Sequence, residues 1–126
     1  MQTVVQKIDI SPVTWELNNG RLFSFAVARL DALHPFVSGN KFFKLKYNLQ
    51  RTIAENKQGI VTMGGAYSNH LAATAWACYE NKLTSVGIIR GDITVPVNET
   101  LSFCEQHGMK LIAVDRNQYH RSSAVV

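Results

Sequence analysis

A chain of 126 residues with 46 % hydrophobic and 17 % charged side chains is long enough for one domain with a true core, which excludes disorder as its main state. Two cysteines, Cys78 and Cys104, make no disulfide framework and read as reduced thiols of a cytoplasmic protein. The net charge is +4, and residues 40–57 carry the whole excess: Lys41, Lys44, Lys46, Arg51 and Lys57 stand against Glu55 alone, a patch that suits an anion or a solvated helix face.

In chain order, the first twenty residues read as irregular, punctuated by Pro12, Asn18, Asn19 and Gly20. Leu22–Leu30 is rich in strand formers, and Pro35, Ser38 and Gly39 mark a loop. A helix is predicted from about Asn40, its expected N-cap, to Asn56, with Phe42, Leu45, Leu49 and Ile53 as an apolar stripe. From Gly59 the pattern is regular. Gly59–Met63, Ser85–Arg90 and Leu111–Asp115 are short apolar runs starting 26 residues apart. Between them lie two helix patterns. One spans Asn69 to Glu80, with Leu71, Ala75 and Tyr79 aligned. The other spans Pro96 to His107, with Pro96 in its first turn. This alternation predicts an α/β fold built on a parallel three-stranded sheet with right-handed crossovers. The stripe of the helix from Asn40 is expected to pack on the same sheet. Tyr119 is placed where a further helix would start, but too little chain follows for one.

Two motifs carry chemistry. Ser38-Gly39-Asn40-Lys41 is a tight turn entering a helix, with a lysine near the positive end of the helix dipole. That position favours the neutral amine, which can attack an aldehyde. Gly64-Gly65-Ala66-Tyr67-Ser68-Asn69-His70 joins a strand to a helix, at the end of a parallel sheet where α/β proteins bind ligands. Its glycines let backbone approach a ligand, and Ser68 or Asn69 can cap a helix whose free amides favour an anion. The spacing matches neither a dinucleotide fingerprint nor a phosphate loop. Taken singly, each motif also fits a plain reading, as an exposed lysine and an ordinary capped turn.

Together, SGNKFFKLKYNL and TMGGAYSNHLAATAWAC resemble the pyridoxal-phosphate enzymes of fold type II, within the 1-aminocyclopropane-1-carboxylate deaminase and D-cysteine desulfhydrase branch. Arg29-Leu30-Asp31 resembles that branch as well. The resemblance spans roughly residues 15–115. It implies a three-layer α/β sandwich around a small parallel sheet for residues 40–126, with residues 1–39 belonging to a larger domain. It implies pyridoxal 5'-phosphate as cofactor, and deamination or desulfhydration of a small amino acid. Lys41 matches the lysine that forms the Schiff base, Asn69 the asparagine on the cofactor's ring oxygen, and Ser68 the serine near the substrate α-carbon. Lys44 matches a lysine near the cofactor phosphate. Ser68, Asn69 and His70 match the turn that holds the substrate carboxylate. Ala66-Tyr67 departs from the family's usual pair, as do Phe42 and Phe43.

The family's glycine-rich phosphate loop and the partner of its pyridine nitrogen have no counterpart in these residues, so the chain reads as an N-terminal fragment, inactive alone. Phe23, Phe25 and Val27 would then lack their usual cover. Residues 15–30 are therefore expected to pair across a homo-oligomer, to swap between chains, or to be poorly ordered. The rival reading is a non-catalytic α/β domain that binds a small anion or a partner protein through the 40–57 patch. His34, His107 and His120 lack neighbours at ligand spacing, so no metal site is expected. Trp15, Trp76 and the tyrosines read as core, and no nucleic-acid motif is present. No apolar run approaches the roughly 18 residues of a membrane helix, and MQTVVQKIDI lacks the features of a secretory leader.

Overall fold

A computed structural model describes residues 7–123. Met1–Gln6, on which the leader reading partly rests, and residues 124–126 lie outside the described residues. The chain order is β1 (Ile10–Glu16), β2 (Leu22–Ala28), a 3-10 turn (Leu30–Ala32), α1 (Asn40–Ala54), β3 (Gly59–Gly64), α2 (Asn69–Glu80), β4 (Thr84–Arg90), α3 (Glu99–Gln106), β5 (Met109–Val114) and α4 (Arg116–Ser123).

The three later strands form the expected sheet, in the order β3-β4-β5 and parallel throughout. On β4 the period-2 alternation is clear: Ser85, Gly87 and Ile89 are buried on one face, and Val86 and Ile88 are half-buried on the other. The buried face meets α2 and α3 in a core of Leu71, Ala75, Ile89, Leu101, Cys104 and Met109. Gly87 gives room there, since a Cβ would come 2.8 Å from the Met109 sulfur. On the opposite face Arg90 lies over the Tyr119 ring of α4, 6.0 Å from its centroid, so α4 begins a third layer.

Helix α2 is the centre of the molecule. One side of it joins the sheet core. The other side, through Ala73 and Ala77, receives Val37, Leu45 and Leu49. The small alanines permit this close approach, and burial on two sides explains why α2 is alanine-rich rather than strongly two-faced. Helix α1 therefore packs on α2 and not mainly on the sheet, where Ile60 is the sheet residue in that cluster. The end of its predicted stripe, Ile53, is 50 % exposed. Tyr79, aligned with the α2 core positions in the sequence, is exposed as well.

Five other expectations are corrected. Residues 10–16 are a strand, not irregular chain. β1 and β2 form an antiparallel hairpin in which Val13 faces Phe25 and Trp15 faces Phe23. Pro12 is tolerated because a two-stranded ribbon has only edge strands. β2 thus finds its backbone partner within the chain, but Phe23 is 58 % and Trp15 63 % exposed, so Trp15 is not core. Asn40 is the first helical residue of α1 rather than its cap; Gly39 occupies the cap position. α3 begins at Glu99 behind the cap Asn98, so Pro96 lies before the helix. The short tail does form α4, with Asp115 Oδ1 accepting from the Gln118 amide at 2.8 Å.

Candidate active site

The lysine turn is held from both ends. Gly39 sits at φ 64°, ψ −147°, a region essentially confined to glycine, and its amide donates to the Leu30 carbonyl at 2.9 Å. Upstream, Arg29 pairs with Asp31 through both oxygens at 2.9 and 2.6 Å. The guanidinium hydrogen bonds hold the Asp31 carboxyl below its usual range. His34 Nδ1 accepts from the amides of Phe36 and Val37 at 3.1 and 3.0 Å. Val37 is fully buried and anchors the turn in the α1–α2 interface.

This turn delivers Lys41 to the glycine loop after β3. Lys41, Ser38 and Asn69 line one cavity of about 390 Å³, with Phe36, Phe103 and Glu99 on its other walls. Lys41 is half-buried and Asn69 is exposed. Ser68 occupies the N-cap position of α2, yet its side chain makes no cap bond. The Leu71 and Ala72 amides take the Ser68 carbonyl at 3.1 and 3.4 Å. Asn69 and His70 begin the helix, where an amide has no intrahelical acceptor.

The two glycines of the loop differ. A Cβ at Gly64 would lie 2.9 Å from Leu71 Cγ and from Ser68 Cβ and Oγ, whereas one at Gly65 would meet nothing within 4 Å. Gly64 therefore serves packing, and Gly65 presents open backbone to the solvent side of the loop.

Ser68 does not line the Lys41 cavity, and two further residues grouped with this site lie elsewhere. His70 is turned away, its Nε2 2.9 Å from Thr62 Oγ1 on β3. It lines a second cavity of about 450 Å³ between α1 and β3, together with Arg51 and Lys57. Burial, then the positive charges of Lys41 and Lys44, lower its pKa. Lys44 is exposed on α1 and does not line the Lys41 cavity.

Sequence reasoning missed Asn98 and the aromatic wall. Asn98 Oδ1 accepts from the Leu101 amide at 2.9 Å, and its Nδ2 donates to the Ala66 carbonyl at 3.0 Å. One side chain thereby caps α3 and clamps the glycine loop. The signal was present, because Asn before Glu-Thr-Leu is an N-cap pattern. Phe36 lies 5.5 Å from Phe103 and 5.7 Å from Trp76, contacts that no local spacing announces. Among the described residues no three His, Cys, Asp or Glu side chains gather as a metal site, and no helix is long and apolar enough to cross a membrane.

No family model matches the chain. Sequence comparison finds a protein of Oryza sativa subsp. japonica named D-cysteine desulfhydrase 2, mitochondrial, 40 % identical over 68 residues, which are 54 % of this chain and 17 % of that protein. It also finds a Thermotoga maritima protein named 1-aminocyclopropane-1-carboxylate deaminase, 31 % identical over 99 residues, or 79 % of this chain and 31 % of that protein. Over the matched segments, the chain is similar in sequence to proteins named D-cysteine desulfhydrase and 1-aminocyclopropane-1-carboxylate deaminase. The fold agrees. Two hydrogen sulfide-producing enzymes of Fusobacterium nucleatum superpose with TM-scores of 0.63 and 0.60, at 16 % and 14 % identity, over 92 % and 94 % of this chain. The chain spans 35 % and 38 % of those enzymes, and less of the two sequence relatives.

Proposed function

We propose that this chain forms the lysine-bearing wall of a pyridoxal-phosphate site acting on a small amino acid of the D-cysteine or 1-aminocyclopropane-1-carboxylate type. The observation that carries this reading is the convergence of Lys41 and Asn69, from separate elements, on one cavity of about 390 Å³, within the usual range of roughly 300–1,000 Å³ for small-ligand sites. The residues fit the group. Lys41 supplies an amine at the mouth of the cavity, and Asn69 supplies a side-chain donor beside it. Gly65 leaves open space for close approach.

In this reading the cofactor, when bound, supplies an electron sink for a carbanion at the substrate α-carbon. Lys41 would hold the cofactor through its amine, and its Nζ would carry a proton to or from the substrate. Asn69 orients the ring by hydrogen bonding. The Ser68 hydroxyl would act near the substrate α-carbon, and the first amides of α2 would hold the substrate carboxylate, as a helix N-terminus favours an anion. Phe36 and Phe103 exclude water from one side.

For these 126 residues tested alone, weak cofactor binding and no turnover are the expected outcomes. Titration with pyridoxal phosphate, followed by visible absorbance and sulfide release from D-cysteine, tests this. Weak binding that Lys41→Ala abolishes supports the reading. Undiminished binding by Lys41→Ala favours instead an anion site on the 40–57 patch.

A further inference from the structure

We infer that His34 is a positioning residue whose neutral imidazole holds the Lys41 turn against α2. Its role in any reaction rests on the proposed function of Lys41, but its role in the turn does not. Three observations converge on it. Nδ1 accepts from two backbone amides, Phe36 and Val37. The ring packs on Trp76 of α2, with centroids 4.3 Å apart. The two residues it fastens do different work: Val37 is fully buried with Leu45, Leu49, Ala73 and Ala77, and Phe36 walls the cavity against Phe103. Ser38, Gly39 and Lys41 follow at once. Fastening the 36–37 amides therefore sets where the lysine enters its helix.

The acceptor role fixes the chemistry. A nitrogen that accepts two N–H groups carries no proton, so the ring's proton is on Nε2. Protonation would place an N–H at Nδ1, facing two donors, and both bonds would be lost. Among the described residues, the charged group acting on His34 is Glu80 of α2, which favours the proton; burial opposes it and prevails, so the pKa lies below the usual 6.5. Asparagine is the informative replacement. Its carboxamide oxygen sits where Nδ1 sits, accepts from the amide two residues on, and does not titrate.

The test is amide hydrogen exchange by NMR on the 126-residue chain between pH 5 and 8, corrected for intrinsic rates. In the wild type, protection at Phe36 and Val37 should fall at least tenfold toward pH 5, while Ile89 in β4 stays protected. His34→Asn should keep that protection and lose its pH dependence. His34→Leu should lose at least tenfold at every pH. Protection in His34→Leu equal to wild type, or a pH dependence that survives in His34→Asn, overturns the inference. The wild-type titration decides the matter even if His34→Leu does not fold. A second readout is borohydride-fixed labelling of Lys41 by pyridoxal phosphate, expected to fall about threefold in His34→Leu and to recover in His34→Asn. Absence of Lys41 label in all three proteins would count against the cofactor reading, while the exchange data would still decide the role of His34.

Discussion

Gly64 and Gly65 are adjacent and chemically identical, and the structure assigns them opposite tolerances. In Gly64→Ala the new methyl lies 2.9 Å from Leu71 Cγ and from Ser68 Cβ and Oγ, against about 3.5–4.0 Å for relaxed carbon contacts. The Ser68 hydroxyl can rotate away, but its Cβ cannot. Leu71 has no exposed surface and is packed on Ala75, Ile89 and Met109, so relief requires α2 to shift. Overpacking of this kind costs about 1–3 kcal/mol. At this chain length each kcal/mol moves Tm by about 3–5 °C. Gly64→Ala should therefore lower Tm by roughly 3–15 °C in a calorimetric or circular-dichroism melt. Gly65→Ala meets nothing within 4 Å and should stay within about 0.5 kcal/mol of wild type. If the loop backbone must approach a ligand, Gly65→Ala should nonetheless weaken pyridoxal-phosphate binding. Equal losses of stability in the two variants, or an unchanged Tm in Gly64→Ala, would refute the packing argument.

Other outcomes follow from single residues. Asn98→Ala removes the α3 cap, which costs about 0.5–2 kcal/mol, and frees the Ala66 carbonyl; denaturant melts should show the loss, and exchange should rise in the 64–68 loop. His34 and His70 both titrate below 6.5 in the folded chain, so the unfolded state binds more protons there. Stability should fall as pH drops through 6.5 and level off below the folded pKa values, each histidine contributing at most about 1.4 kcal/mol per pH unit and His34 less because solvent screens it; a denaturant series from pH 5 to 8 checks the sign. Burial pushes the thiols of Cys78 and Cys104 up to about 11. Both should resist a thiol reagent at pH 8 in the folded chain and react once it is unfolded. The open apolar face of the hairpin, with Trp15, Phe23 and Phe25, should drive self-association in light scattering, and Phe25→Lys should reduce it.

The parallel sheet was legible because short apolar strands alternating with helix patterns are written in local segments of the chain. The α2 bounds, Asn69–Glu80, coincide with those read from the sequence. Lys41 and Asn69 line one cavity, as the family resemblance implied, while Ser68 does not. What was not legible depends on partners remote in sequence. β1 is a strand because β2 lies beside it, despite Pro12. The α1 stripe goes to α2 because Ala73 and Ala77 make room, which a hydrophobic period does not reveal. His70 and Asn69 are neighbours in the chain but point into different cavities, since successive helical residues are turned about 100° apart. His34 and Asn98 act through side chain to backbone bonds, and a composition pattern does not display these.

The central claim is that Lys41 and Asn69 form one side of a pyridoxal-phosphate site, and the most direct measurement is peptide mapping after borohydride reduction of the chain with limiting pyridoxal phosphate. The chain holds seven lysines, of which Lys44, Lys46 and Lys57 are controls on or just beyond the same helix. The account predicts label concentrated on Lys41, reduced severalfold by Asn69→Ala with the fold intact. Label spread evenly over Lys41, Lys44, Lys46 and Lys57, unaffected by Asn69→Ala, would contradict it.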